Sequence, residues 1–85
     1  MPKREMIRYH AIGGSVDIED EFARAIMIHP DWPDDVIHQV AIMIEEAGET
    51  MQAALNYKYH GGEKEKIKEE LIQTAAMCLR CLVNL

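Results

Sequence analysis

Apolar residues recur at three- and four-residue intervals along most of the chain after Gly14, a rhythm that predicts helices rather than strands. The first series is Ile18, Phe22, Ala25 and Ile26. Asp17 stands where an N-cap is wanted, and Asp20 and Glu21 add negative charge near the helix start, so the pattern predicts a helix over 17–28. His29-Pro30-Asp31-Trp32-Pro33 then ends it, because each proline lacks an amide donor and disfavours helical geometry in its predecessor.

The second series is the longest. Starting from Asp34 or Asp35, it runs through Val36, Ile37, Val40, Ile44, Ala47, Met51, Ala54 and Leu55, widened by Ala41 and Met43. It predicts a helix over 35–59 with this stripe as its buried face. Gly48 inside it costs about 1 kcal/mol against alanine, which either a closely approaching helix or simple tolerance accounts for. Gly61-Gly62 is the stop signal.

A third helix is predicted over 63–84, carrying Ile67, Leu71, Ile72, Ala75, Ala76, Cys78, Leu79, Leu82 and Val83. Its first turns are charged, and its second half is apolar nearly all round apart from Thr74 and Arg80. Such a segment needs cover on several faces, as in a bundle interior or a subunit interface. Met1–Gly14 has no clean period and is expected to be a loosely packed arm, with a short strand or turn near Met6–Ile12. The expected fold is one all-α domain: a helical hairpin with a short preceding helix, assembling into a four-helix-type bundle by oligomerisation.

Composition sharpens this. The 85 residues are 48% hydrophobic but only 6% aromatic, so the core must be built from Ala, Ile, Leu and Met. A chain this short buries a modest core, and a homodimer or homotetramer is expected. The net charge of -6 argues against a nucleic-acid partner, since Lys3, Arg4 and Arg8 are too few to neutralise a phosphate backbone. Charge interrupts every apolar stretch, so no membrane span is expected, and Met1–His10 has no apolar signal core; the expected setting is cytoplasmic. Cys78 and Cys81 form a C-x-x-C pair in an apolar run with no second pair and no nearby histidine; buried, inert thiols are expected rather than a zinc or redox site.

Carboxylates carry the candidate chemistry. Glu46 and Glu49 are three residues apart and project from neighbouring positions of one helix, as do Glu70 and Gln73 on the next. A reversal near His60–Gly61 brings the two pairs opposite each other within about one turn. Both lie at the margin of an apolar stripe, where like charges need raised pKa values or a bound cation. Oxygen ligands select a hard ion, Mg²⁺ or Mn²⁺. The plain alternative is a solvated acidic surface, with Lys66 pairing Glu70 at i,i+4.

These residues resemble the all-alpha nucleoside triphosphate pyrophosphohydrolase superfamily, the MazG-like and dUTPase-like enzymes. Glu46-x-x-Glu49, preceded by Glu45, is similar to the family's first motif, E-x-x-E. Glu70-Leu71-Ile72-Gln73 is similar to the second, E-x-x-D, with glutamine in place of the aspartate. The resemblance covers about Trp32 to Leu85. It implies hydrolysis of a nucleoside triphosphate to the monophosphate and pyrophosphate, with Mg²⁺ (or Mn²⁺) held by Glu46, Glu49, Glu70 and Gln73. Glu45 or Glu49 would act as base, and Trp32, Asn56 and Lys58 are candidate substrate contacts. Gln73 supports a different outcome as well: a catalytically inactive oligomerisation or regulatory module that keeps the fold.

Overall fold

The computed structural model describes residues 15–85, with Glu5 and Arg8, both helical, before them; the rest of the arm, strand and turn expected within 1–14 lies outside the described residues. Three helices follow in order: α1 (Ser15–Ile28), α2 (Val36–Tyr59) and α3 (Lys64–Val83). Helix α1 begins two residues ahead of Asp17, which therefore sits in the first turn rather than at the cap. Asp35 caps α2 by accepting a 2.9 Å bond from the Ile37 amide. Gln39, buried one turn later, donates to the Pro33 carbonyl at 2.9 Å and fixes the linker to the start of the helix.

At the other end of α2, Gly61 turns the chain with φ of +74°, a conformation that side chains rarely adopt. Gly62 follows, and its amide donates to the Asn56 carbonyl at 2.9 Å. A Cβ there would come within 3.1 Å of the Asn56 backbone, so this tight reversal depends on both glycines.

Helix α3 is the central element, with α2 packed along it as an antiparallel hairpin and α1 packed on a second side. The α2 face turned to α3 contains Gln39, Met43, Glu46, Thr50 and Ala53, at alternating four- and three-residue steps. Of the stripe the sequence pattern predicts, Met43 lies on this face and Ala47 and Ala54 are half-buried. Val36, Ile37, Val40, Ile44, Met51 and Leu55 remain between 42% and 76% exposed. The reason is that two faces of α2 share the same helical period. One mixes polar residues with Met43 and Ala53 and meets α3; the other is apolar and largely exposed.

The core is correspondingly thin. Ala25, Ala76 and Met77 form its centre, flanked by Phe22, Trp32, Ile42 and Met43, and no large side chain among the described residues is fully enclosed. The apolar end of α3 is only partly covered: Ala76, Met77 and Arg80 are buried, while Leu82, Val83 and Leu85 are exposed. Cys78 is also exposed, contrary to the expected buried thiols, because its flank of α3 faces neither neighbour. Cys81, half-buried, donates to the Gln39 carbonyl at 3.4 Å, and burial pushes its thiol pKa up. Among the described residues, no helix is long and apolar enough to cross a membrane.

Candidate metal centre

Glu46 lies on the α2 face that meets α3, and Glu49 stands one turn later at the edge of that face. Glu70 projects from the facing side of α3 and is only 5% exposed. One carboxylate oxygen from each of the three lies within 4.8 Å of the others. The hairpin is pinned in the same region by the Thr50 and Thr74 hydroxyls, 2.9 Å apart. Each threonine also contacts the carbonyl four residues back, at Glu46 and Glu70 respectively, so the backbone under both glutamates is tied to one polar layer.

The charges within this layer are not balanced. Glu70 Oε1 accepts a 3.1 Å ion pair from Lys66 Nζ, and this pairing holds the lysine pKa above its ordinary value. Glu70 Oε2 and Glu46 Oε2 are both buried and have no hydrogen-bond partner. Burial raises the Glu46 pKa, helped by the negative charges of Glu49 and Glu70 and, more weakly, of Glu21. Two orphaned carboxylate oxygens beside a third acid are stabilised by a proton or by a cation.

The other residues singled out from the sequence are dispersed. Gln73 and Glu46 line a cleft of about 340 Å³ between α1 and the hairpin, together with Glu21, Arg24, Trp32 and Arg80. Gln73 thus shares this cleft with Glu46. Trp32 forms part of the cleft wall, with its indole Nε1 buried and unpartnered. Glu45 is exposed on the outer surface of α2. Asn56, which accepts from Gln52 Nε2 at 3.0 Å, and Lys58, 5.2 Å from the Tyr59 ring, lie near the hairpin tip and do not line this cleft.

Docking of α1 carries Glu21, which the sequence offers only as a charge near a helix start, to the cleft together with Arg24, to which it is paired at 3.0 Å. Arg80, which also lines the cleft, is committed to the chain itself. It is 4% exposed, donates to the His29 carbonyl at 2.6 Å and the Ala25 carbonyl at 3.4 Å, and stacks 4.5 Å from the centre of the Trp32 ring. Its only sequence signal is a lone charge in an apolar run. Searches of protein-family models, curated proteins and solved structures found no match for this chain.

Proposed function

We propose that this protein is a metal-dependent nucleoside triphosphate pyrophosphohydrolase whose ion is held by Glu46, Glu49 and Glu70. The observation that carries the reading is the meeting of these three carboxylates from two helices, with buried, unpartnered oxygens on two of them. The donor set suits a hard ion: all ligands are oxygens, and opposite ligands of octahedral Mg²⁺ stand roughly 4 Å apart, within a small side-chain adjustment of the observed spread. Mn²⁺ fits the same donors. Gln73 offers a neutral amide oxygen from the cleft side.

Bound there, the ion supplies charge neutralisation at the phosphates and lowers the pKa of water. The chain supplies the rest. Glu49, more open than its partners, accepts the proton of a water attacking the α-phosphorus, with Glu45 as the second candidate base. The bond from the α-phosphorus to the bridging oxygen breaks, and pyrophosphate leaves. Arg24 is the cation of the cleft nearest in kind to a phosphate contact, and Trp32, whose ring carries Arg80 on one face, is the aromatic residue of the cleft wall and the candidate contact for the base. The assembly proposed is a homodimer or homotetramer in the cytoplasm.

The inactive-module reading has one observation in its favour: Lys66 already neutralises one Glu70 oxygen, and Gln73 brings no charge. A screen of common NTPs and dNTPs with Mg²⁺ or Mn²⁺, following pyrophosphate release, separates the two. Release that falls at least about a hundredfold in Glu49→Gln is expected, the usual scale for losing a general base. No release from any nucleotide, or release indifferent to Glu49→Gln, sinks the enzymatic reading.

A further inference from the structure

Lys66 sits where the acidic layer meets solvent. Its Nζ lies 3.1 Å from Glu70 Oε1 and 3.7 Å from Glu69 Oε2, so one ammonium spans two carboxylates in opposite surroundings. The Glu70 side chain is 7% exposed and that of Glu69 61%. The lysine between them is itself largely exposed, and its four-carbon stem passes from one acid to the other by rotamer changes alone. Lys66 and Glu69 also share an open depression at the hairpin tip with Asn56 and Gly62, which gives the outward position room.

The two positions differ in what they are worth. An exposed ion pair contributes little in water, whereas a buried carboxylate left unpaired is costly, so the ammonium gains most at Glu70. One lysine does not satisfy the layer, however. Glu70 Oε2 and Glu46 Oε2 still lack partners, and Glu49 adds a third acid within 4.8 Å. A divalent cation among the three neutralises more charge than the ammonium does, and it competes for the glutamate that Lys66 holds. We propose that Lys66 is a tethered counter-ion: it holds Glu70 in the metal-free protein and yields it to a divalent cation by swinging out to Glu69. Lys66 thereby keeps the buried acids tolerable before an ion arrives and sets the ion concentration at which the site fills. Its pairing with Glu70 is then part of the metal centre's design rather than a mark of an inactive module. The role rests on the metal reading of Glu46, Glu49 and Glu70 given above.

Mn²⁺ binding, followed by loss of the free-ion EPR signal, tests this without any nucleotide. Lys66→Gln is expected to bind Mn²⁺ at least about fivefold more tightly than the wild type, the scale of one ion pair. Lys68→Gln removes the same charge two residues along, in the groove beside α1, and is expected to change the affinity less than about twofold because solvent and salt screen it. Lys66→Arg, whose fork grips a carboxylate more firmly, is expected to loosen Mn²⁺. Thermal unfolding gives a second readout: in EDTA, Lys66→Gln should lower the Tm more than Lys68→Gln does, and Mg²⁺ should restore more of it. Glu49→Gln, expected to abolish binding, locates the ion. No Mn²⁺ binding by the wild type or Lys66→Gln, or binding indifferent to Glu49→Gln, overturns the metal reading and the lysine's role with it. Binding that needs Glu49 but responds equally to Lys66→Gln and Lys68→Gln overturns the role of Lys66 alone. If Lys66→Gln does not fold, Lys66→Arg decides: Mn²⁺ held as tightly as by the wild type, or more tightly, overturns the proposal.

Discussion

Glu46 concentrates the physical tension of this molecule in one side chain. It sits against apolar neighbours, faces two other acids and leaves one oxygen without a partner. Its raised pKa means that the folded protein holds a proton which the unfolded chain has already released. Without metal, stability is therefore fully retained below the ordinary carboxylate value of 4.5 and falls as pH rises from there through the raised native value. Urea midpoints in EDTA across that window are expected to decline for the wild type and to flatten in Glu46→Gln. At neutral pH, Mg²⁺ should stabilise the wild type and have a smaller effect on the variant. Equal slopes in both proteins would remove Glu46 as the strained group.

Helix α1 docks through Arg80, whose guanidinium satisfies carbonyls at its C-terminal end and covers the Trp32 ring. Arg80→Met keeps the apolar stem and removes the fork, so a loss of about 2–3 kcal/mol is expected in urea unfolding. Amide exchange should localise the loss to Ser15–Ile28, and Arg80→Lys should recover little of it. Helix α2 carries an avoidable cost. A Cβ at Gly48 meets nothing within 4 Å, so close approach within the chain does not explain this glycine. Gly48→Ala is expected to raise stability by about 1 kcal/mol on helix propensity alone; destabilisation would mean that something outside the described residues approaches Gly48.

On the scale of the whole molecule, the central fact is an imbalance between core and surface. Buried apolar side chains are few and small, while large ones line the bare face of the hairpin. A protein stabilised by self-association through that face has a concentration-dependent unfolding temperature. Calorimetry over a hundredfold dilution should show the Tm falling by several degrees, and Ile44→Glu should unfold low with no such dependence. A Tm that ignores concentration in the wild type would show that the thin core suffices alone.

The three helices after Gly14, their ends near Ile28, Asp35 and Tyr59, and the glycine reversal were legible in the sequence, because caps, prolines and glycines act over a few residues and need no neighbour to be read. The meeting of Glu46, Glu49 and Glu70 was legible too, since one turn of known position converts spacing along two helices into proximity. What tertiary structure alone decided is which face of α2 meets α3. Periodicity marks an apolar stripe that needs cover, but packing chose the smaller, polar Gln39–Thr50 side. The same docking made Arg80, in sequence only a lone charge in an apolar run, the anchor of α1 and brought Glu21 to the cleft. The physical reason is common to all three. Local backbone preferences are written in adjacent residues, whereas the partner of a helix face is fixed by contacts between segments far apart in the chain.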